Sequence, residues 1–475
     1  MLREFDVLVI GSGPAGLAAA AEAARFGLSV ALVERDRVGG TALWTGAVPM
    51  RALLDCAAVA DTVRRAPGFG IQVGDPRVDF AAVLERVRTV VRAIQPRRSP
   101  ERLRKLGIEV FGAEASFVDR ETVAVGDETV RAKRIFLATG SRPDVPAVDG
   151  LAETGFLTHE RLWDLDRLPA SLVVLGGTPT GIQVAQALAR LGSQVTLVEK
   201  KDRLLEGQDG ELAGMLAESL QAEGVHILTG AEVIQVLRRG DGKVMAVRTG
   251  EERRETEAEE IFIAAGRAPN VEALHLEATD IETTRVGVVV DGRFRTTERH
   301  VWAIGDANGK LFGSRAAEIQ ARAAVHDALF PWSRQVNLER VARLLATDPA
   351  LARAGLTEEQ ARRRFGDDVK VYRHPLTEVD RAVCRARTAG MVKLIADRRG
   401  RLVGGHILGA EAGEMLPALA RAVAAREPAD GFTARFHAYP TVAEGMLLAS
   451  RRAREEAFYS GRRLALLKKL ARWWV

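Results

Sequence analysis

Apolar residues form a short run at residues 6–10, rich in β-branched side chains, which predicts a buried strand. A glycine-rich stretch at residues 11–16 follows, and then an alanine-rich stretch at residues 17–26 that predicts a helix ended by Gly27. A second apolar run at residues 29–33 predicts another strand, which ends at Glu34. The chain therefore opens with a strand, a glycine turn, a helix, a strand and an acid.

This order is typical of a βαβ unit that binds a dinucleotide. Gly11 permits the tight turn, Gly13 lets the backbone approach a pyrophosphate, and Gly16 allows the helix to pack on the strand. Ala15 belongs to the same turn, next to the helix N-terminus that supplies N–H donors and partial positive charge to the phosphates. Glu34, 21 residues after Gly13, is placed to accept hydrogen bonds from a ribose diol.

The same pattern occurs a second time. Its strand, turn, helix, strand and acid lie at residues 172–175, 176–181, 182–191, 194–198 and 199. Gly176, Gly177 and Gly181 match the glycines of the turn, but Thr178 stands at its middle position. A β-branched side chain there is expected to crowd a pyrophosphate, unless its hydroxyl hydrogen-bonds the phosphate instead. The second site therefore either binds a dinucleotide or is degenerate.

The acid of the second unit bears on which nucleotide binds. Glu199 favours NADH, because a carboxylate repels the 2′-phosphate of NADPH. Lys200, Lys201 and Arg203 follow at once and could soften that preference. The pattern predicts NAD(H) or NADP(H), with NADH favoured.

Composition and charge narrow the class of protein. The chain has 475 residues, 47% hydrophobic and 28% charged, which is ordinary for a soluble protein of about three domains. No run of roughly 18 or more apolar residues occurs, and the first apolar run is too short for a secretory signal. The net charge of +5 is concentrated in residues 451–475, with eight basic and two acidic side chains. We predict a cytoplasmic protein that does not bind nucleic acid.

A set of motifs resembles the pyridine nucleotide-disulfide oxidoreductases, the family of glutathione reductase, dihydrolipoamide dehydrogenase and mercuric reductase. The matching blocks lie at residues 39–49, 135–143, 264–270 and 297–306. The resemblance implies bound FAD and a nicotinamide cofactor, with Asp306 hydrogen-bonding the ribityl chain of FAD. Further cofactor-binding residues implied by it are Gly40, Thr41, Ala115, Thr139, Gly140 and Gly266.

The chain departs from this family at its redox centre. Where the family pattern reads GGTCxxxGCxP, this chain has Ala42 and Ala47 in place of the two cysteines. Its only cysteines, Cys56 and Cys384, lie elsewhere, and they allow neither a disulfide framework nor a metal site. Because thiol–disulfide exchange needs an attacking thiolate, the sequence predicts no disulfide reductase activity.

A charged pair near the flavin is also changed. The family places a lysine near flavin N5, paired with a glutamate of the second fold. The corresponding positions hold Arg51 and Gln183, so the cation is expected to remain without its counter-charge. At roughly 4 Å and an effective dielectric of 20, a unit charge contributes about 4 kcal/mol. Our hypothesis is that Arg51 favours the reduced, anionic flavin.

The C-terminal region resembles the family's dimerisation domain, which implies a homodimer whose active sites are closed by the partner. The family's catalytic His-Pro-Thr-x-x-Glu is found at residues 439–444, with Tyr439 in place of the histidine and Glu444 retained. A tyrosine, with a pKa of about 10, cannot activate a thiol at neutral pH. Arg51, Tyr439 and Glu444 are therefore the candidate catalytic residues, and the soluble transhydrogenases are the nearest functional analogy.

The last residues form a basic amphipathic pattern. Residues 462–475 place Leu464, Leu467, Leu470 and Trp474 on one face of a helix, and Arg462, Lys468, Lys469 and Arg472 on the other. Such a segment either contacts the inner surface of a membrane or packs on protein, whether on its own dimer or on a partner.

The predicted fold is α/β, with two Rossmann-like dinucleotide-binding domains plus a C-terminal α/β dimerisation domain. FAD binding is assigned to residues 1–148 and 271–335, and NAD(P) binding to residues 149–270. The dimerisation domain follows at residues 336–455 and the basic tail at residues 456–475. The favoured function is an FAD-dependent oxidoreductase that passes electrons from NADH to an acceptor without a thiol relay. The alternatives are a flavin-bound scaffold and a membrane-surface NADH:quinone reductase.

Overall fold

The computed structural model describes residues 1–435, 437–459 and 461–474. Its first unit is a mixed sheet of order β3-β2-β1-β6-β5-β4, flanked by helices. The strands are β1 (Leu2–Ile10), β2 (Val30–Glu34), β3 (Ile108–Gly112), β4 (Ala115–Phe117), β5 (Thr122–Val125), β6 (Glu128–Leu137) and the separate β7 (Ser141–Pro143). The helices are α1 (Pro14–Arg25), α2 (Gly40–Trp44), α3 (Ala47–Arg65), α4 (Phe80–Ile94), α5 (Pro100–Lys105) and α6 (Leu151–Thr154). Because β1 runs parallel to β2 and β6, their carboxyl ends meet at one edge.

The second unit repeats this plan with a parallel sheet of order β10-β9-β8-β14. Its strands are β8 (Ser171–Leu175), β9 (Gln194–Val198), β10 (His226–Leu228), β11 (Ala231–Arg239), β12 (Gly242–Thr249), β13 (Glu252–Ala258), β14 (Glu260–Ile263) and β15 (Arg267–Pro269). Its helices are α7 (Pro179–Leu191) and α8 (Gly210–Ala222). Strands β11–β13 form an antiparallel sheet of their own, and β15 pairs with β7 of the first unit.

The chain then returns to the first unit before it forms the last one. The returning elements are β16 (Thr283–Thr284), β17 (Gly287–Val288), β18 (Val301–Ala303) and α9 (Ser314–Leu329). Strand β18 pairs in parallel with β6, and α9 contributes Ala317, Ala321 and Ala324 to the same core as α1. The first unit is thus built from two separate stretches of sequence.

The C-terminal unit is a five-stranded antiparallel sheet of order β19-β20-β23-β22-β21. Its strands are β19 (Arg343–Leu345), β20 (Ala350–Gly355), β21 (Lys370–Pro375), β22 (Met391–Ala396) and β23 (Leu402–Gly409). Its helices are α10 (Glu358–Phe365), α11 (Asp380–Cys384), α12 (Ala412–Ala424), α13 (Glu444–Tyr459) and α14 (Gly461–Trp474). The predicted class, with two dinucleotide folds and a dimerisation domain, is confirmed.

Some predicted boundaries were displaced for local reasons. Helices α1 and α7 begin at Pro14 and Pro179, earlier than the periodic apolar residues indicated, because proline is accommodated in the first helical turn. Strand β1 starts at Leu2, since its first residues pair with β6. Helix α14 occupies most of the predicted tail, whose last residue, Val475, lies outside the described residues.

One stretch, Gly40–Phe69, is long and apolar enough to pass a length-and-composition test for a membrane span. It comprises α2, α3 and a short 3₁₀ turn rather than one straight helix. The buried side chains of α3, including Leu53, Leu54 and Ala57, share a core with Ile182 and Leu188 of α7. We therefore assign it as a core segment that joins the two dinucleotide folds.

A buried ion cluster joins the second dinucleotide fold to the C-terminal unit. Lys393 of β22 lies 2.9 Å from Asp209 and 2.8 Å from both Glu211 and Glu358. Lys393 and Asp209 are each only 2% exposed. Arg373 also pairs with Glu211 and Glu358, so two cations face three carboxylates. This cluster is one of the contacts that link the two units.

Candidate dinucleotide and redox site

A single cavity of about 1620 Å³ runs from the first glycine turn to the second. This exceeds the roughly 300–1,000 Å³ that is usual for drug-sized ligands and suits a dinucleotide. The predicted residues that line it are Gly11, Gly13, Ala15, Glu34, Gly40, Thr41, Ala42, Ala47, Arg51, Ala115, Thr139, Gly140, Gly266 and Asp306. The other predicted site residues are not among its lining residues in the described chain: Gly16, Gly176, Gly177, Gly181, Glu199, Tyr439 and Glu444.

The first turn has the form that a pyrophosphate site requires. Gly11 has φ +102°, and a Cβ there would lie 2.4 Å from the carbonyl oxygen of Ala138. A Cβ on Gly16 would lie 1.8 Å from the carbonyl oxygen of Gly11, so α1 can pack this closely only with glycine. A Cβ on Gly13 would meet nothing within 4 Å, because it points into the cavity. No side chain caps α1, which leaves its N-terminal amides for a ligand.

The second turn repeats the backbone but not the open helix end. Gly176 has φ +115°, and a Cβ on Gly181 would lie 2.0 Å from the carbonyl oxygen of Gly176. The Thr178 hydroxyl donates to the carbonyl oxygen of Ala264 at 2.8 Å and accepts from the Gly181 N–H at 3.4 Å. Thr178 therefore caps α7 itself and takes up a donor that the open end of α1 leaves free. Whether this side chain crowds a phosphate or hydrogen-bonds to it stays a prediction, and its hydroxyl already has two partners within the protein.

The two acids hold their turns in the same way. Glu34 accepts from the Ser12 N–H at 2.9 Å and from the Ser12 hydroxyl at 2.5 Å. Glu199 accepts from the Gly177 N–H at 2.6 Å and from the Lys201 N–H at 2.8 Å. Each carboxylate is thus oriented by the main chain beside the turn, and its remaining lone pairs stay available for a ribose diol.

A hydrogen-bonded chain connects the flavin side of the cavity to the second fold. The Ser141 hydroxyl donates to Asp306 at 2.6 Å, and the Arg267 guanidinium donates to the Ser141 hydroxyl and carbonyl at 2.7 Å. Arg267 also lies 3.2 Å from Nε2 of His159. Burial, with the nearby Arg267 charge, lowers the pKa of His159 to about 4. His159 is therefore neutral at pH 7, and its Nε2 accepts from Arg267.

One buried polar atom in the cavity is available to hydrogen-bond a ligand. The hydroxyl oxygen of Thr139 has no hydrogen-bond partner among the described residues, although Thr139 lines the cavity. Buried hydroxyls are normally satisfied. Together with the open amides of α1 and the carboxylate of Glu34, this orphaned hydroxyl shows that the residues present fit FAD.

The cysteines lie away from this cavity. Ala42 and Ala47 both line it: Ala42 lies within α2, and Ala47 begins α3. Cys56 is half-buried further along α3, where burial raises the pKa of its thiol, and Cys384 is exposed on α11 of the C-terminal unit. Trp44 also lines the cavity; its indole N–H donates to the carbonyl oxygen of Val38, and its ring lies under Arg37.

The family model described as pyridine nucleotide-disulphide oxidoreductase matches residues 5–328, and the model of that family's dimerisation domain matches residues 341–450. The chain belongs to this family. Its members are FAD-dependent pyridine nucleotide oxidoreductases, and this protein is an enzyme of that kind that uses FAD and NAD(P)H. The dimerisation domain supports the predicted homodimer.

Named relatives cover nearly the whole chain. A mercuric reductase of Bacillus cereus is 32% identical over 94% of this chain and 71% of its own length. A dihydrolipoyl dehydrogenase of Bacillus subtilis is 31% identical over 93% of this chain and 96% of its own length. The solved structure of the HOCl-induced flavoprotein disulfide reductase RclA from Escherichia coli matches with a TM-score of 0.83 at 27% identity, covering 93% of this chain and 98% of that one.

In this family member the candidate cation Arg51 has a carboxylate partner. Its Nε lies 3.3 Å from Asp55, one turn along α3, and both side chains are more than half exposed. The expectation that Arg51 lacks a counter-charge was therefore wrong, because Asp55 sits one helical turn away on the same face. Arg51 and Gln183 both line the cavity, and a catalytic role for Arg51 stays a prediction.

Tyr439 and Glu444 stand on the C-terminal unit of the same chain. The Tyr439 hydroxyl donates to Asp380 at 2.6 Å, and this hydrogen bond raises the pKa of the tyrosine. Its side chain is 70% exposed. A catalytic role for either residue stays a prediction, and it requires the site of a partner subunit.

The sequence analysis did not single out His159, Ser141 or Arg267 as site residues. Ser141 and Arg267 stand inside matched motif blocks, but their mutual contacts join segments more than one hundred residues apart. His159 follows Leu157, which bridges in parallel to Phe262 of β14, so it lies at the carboxyl edge of the second sheet. Ligands bind at that edge in open α/β sheets, and this position is the one signal that could have identified it.

Proposed function

We propose that this enzyme oxidises NADH and reduces an acceptor directly from its flavin, without a cysteine relay. Bound FAD supplies the electron-carrying chemistry. The observation that carries the proposal is the pair of alanines, Ala42 and Ala47, on the cavity wall where the family pattern has its cysteines. Neither Cys56 nor Cys384 lines the cavity in the described chain, so no thiol is placed to replace them. The residues that we expect to bind FAD otherwise match the family pattern.

Contacts around Glu199 support NADH over NADPH. The cations that follow it are engaged elsewhere: Lys200 lies 2.7 Å from Glu232, and Arg203 donates to the carbonyl oxygen of Glu206 at 2.7 Å. Lys201 lies 3.7 Å from Glu206. Lys200 and Lys201 thus face carboxylates, and Arg203 is held by main-chain carbonyl oxygens. These contacts support a site in which the carboxylate of Glu199 disfavours a 2′-phosphate.

The direct test is anaerobic mixing of the flavin-loaded protein with NADH and, separately, with NADPH, followed through the visible flavin absorption. We expect rapid bleaching by NADH and slower bleaching by NADPH. Absence of bleaching by both nucleotides, with FAD retained, would overturn the proposal. It would favour a flavin-bound scaffold, the candidate that the self-capped end of α7 supports.

Removal of both thiols should leave turnover intact. The double variant Cys56→Ser and Cys384→Ser is expected to oxidise NADH within about twofold of the wild-type rate, because neither thiol reaches the cavity. Alkylation of the wild-type protein should be equally harmless. Steady-state rates with an artificial electron acceptor measure both. A loss of tenfold or more in the double variant, with its flavin band unchanged, would show that a thiol takes part.

Opening the second helix end should tighten nucleotide binding. Thr178→Gly releases the Gly181 N–H for a pyrophosphate, and one such hydrogen bond contributes about 1 kcal/mol, or roughly fivefold in KM for NADH. Glycine replaces a threonine cap at a cost of a few tenths of a kcal/mol, so folding is retained.

The matched control is Thr357→Gly, which removes the threonine cap of α10 in the C-terminal unit. It should leave the KM for NADH unchanged. If Thr178→Gly instead raises this KM, the Thr178 hydroxyl binds the nucleotide rather than competing with it.

A further inference from the structure

The C-terminal helix α14 lies beyond the part of the chain that the family's dimerisation domain matches, which ends at residue 450. Helix α13 before it packs Met446, Ala449 and Ala453 into the core of the C-terminal unit. Helix α14 adds Gly461–Trp474 after that core is complete. It therefore needs an explanation of its own.

The described side chains of α14 divide into two faces. At about 100° per residue, Leu464, Leu467, Leu470 and the two tryptophans occupy one half of the helix circumference. Lys468, Lys469 and Arg472 occupy an arc of about 100° on the opposite half. The two sets do not interleave, which is the arrangement of a helix that lies at a boundary between an apolar phase and water.

The apolar face is exposed in the folded chain. Trp473 and Trp474 are 80% and 85% exposed, and Leu467 and Leu470 are about half exposed, at 43% and 52%. The two indole rings lie 6.5 Å apart at the free end of the helix. Tryptophan is enriched at membrane–water interfaces, because its ring is apolar and its N–H is polar.

The basic face has no internal partner. Among the described residues, no carboxylate forms an ion pair with Lys468, Lys469 or Arg472, although the chain pairs many of its other exposed cations. Residues 451–475 carry a net charge of +6, so the segment as a whole is attracted to an anionic surface. The positive charge thus favours an anionic surface. The exposed tryptophans and leucines favour a surface that also has an apolar layer in which they can be buried.

We propose that α14 is an anchor that binds the surface of an anionic lipid bilayer, with its apolar face in the headgroup boundary and its cations against the lipid phosphates. Each cation near an anionic membrane strengthens binding about fivefold, so the three described ones together contribute roughly a hundredfold. A homodimer presents two such helices, and the second binds at the high local concentration set by the first. The body of the protein stays in water.

The test uses the full-length, flavin-loaded protein with sedimented vesicles of phosphatidylcholine alone or mixed with phosphatidylglycerol. We expect co-sedimentation with the anionic vesicles and not with the neutral ones. Binding should fall steeply with salt, because the Debye length shrinks from about 10 Å at 0.1 M to about 3 Å at 1 M. Lys468→Gln with Lys469→Gln should weaken binding roughly 25-fold.

Removal of the aromatic end, Trp473→Ala with Trp474→Ala, should also release the protein. Two matched controls separate the helix from general surface stickiness. Trp332→Ala removes an equally exposed tryptophan of the body, and Arg253→Gln with Arg254→Gln removes two exposed cations of β13; neither should change vesicle binding. An unchanged visible flavin spectrum shows that each variant is folded.

Three results would overturn the proposal. One is that the wild-type protein stays in the supernatant with anionic vesicles at low salt. Another is that the tryptophan variant changes the oligomeric state in light scattering while vesicle binding is unaffected, which assigns α14 to a contact between subunits. Retention of vesicle binding after removal of residues 461–475 would equally exclude α14 as the anchor.

Discussion

A Gly13→Val protein is expected to fold and to be purified without its flavin. Gly13 has φ −66° and ψ −174°, an extended conformation that valine adopts readily. A Cβ there meets no protein atom within 4 Å, so the branched side chain enters the cavity at the point where the backbone approaches a pyrophosphate. Folding is spared and FAD is excluded, because the space belongs to the ligand rather than to the core.

Visible absorption of the purified protein, with FAD added back, measures this loss. Gly74→Val is the matched control: Gly74 is exposed in the loop before α4 and is likewise free of neighbours within 4 Å, so that variant should stay yellow. Gly16→Val should fail earlier, since its Cβ would lie 1.8 Å from the carbonyl oxygen of Gly11, and we expect it not to accumulate as folded protein. A Gly13→Val protein with full flavin content would show that the pyrophosphate lies elsewhere.

Replacement of Lys393 by methionine is expected to cost about 3–5 kcal/mol of stability, because it leaves the buried Asp209 carboxylate without its cation. The stability of the variant should also depend less on pH in the acidic range. Burial is the largest influence on Asp209 and opposes its ionisation, but the hydrogen bond and charge of Lys393, together with the N–H of Glu358, hold the pKa of the carboxyl below its usual range. This contribution is present above the unfolded pKa of about 3.9 and is lost as pH falls through the lower folded value.

Urea unfolding followed by tryptophan fluorescence, at neutral pH and at several acidic values, measures both effects. The control is Arg254→Met, which breaks an exposed ion pair of 2.8 Å with Glu252 and should cost less than about 1 kcal/mol. We expect the wild-type midpoint to drop more steeply than the Lys393→Met midpoint below about pH 4. Equal midpoints for the two variants at neutral pH would mean that the cluster does not hold the units together.

The two dinucleotide folds could be predicted from sequence because many of their constraints lie within one strand–turn–helix unit. A Cβ on Gly16 or Gly181 would meet a carbonyl oxygen of its own turn, whereas Gly11 and Gly176 are limited by carbonyl oxygens beyond the end of a neighbouring strand. Glu34 and Glu199 follow at the spacing that one strand, one helix and one strand impose. The absence of the two redox cysteines could also be recognised from the sequence, because it is a matter of residue type alone. Family resemblance then extended these local patterns to the fold of the whole chain.

Boundaries and side-chain partners were less well predicted, for a physical reason. A helix start depends on how a proline fits its first turn, and a strand start depends on its neighbour, as β1 shows against β6. Arg51 was expected to lack a counter-charge because its distant family partner is replaced by Gln183, but a rotamer choice within α3 supplies Asp55 instead. Thr178 caps its own helix, which depends on the position of Ala264 far along the chain.

What the sequence determined by itself is the class of the protein: two dinucleotide folds, a dimerisation domain, FAD chemistry and an absent cysteine pair. What only the tertiary structure decided is how side chains from separate segments meet. The chain from His159 through Arg267 and Ser141 to Asp306 joins both folds across the cavity. The Lys393 cluster likewise joins residues about 180 positions apart. Periodicity and motif spacing carry information within an element or a turn, whereas these contacts depend on how whole units dock.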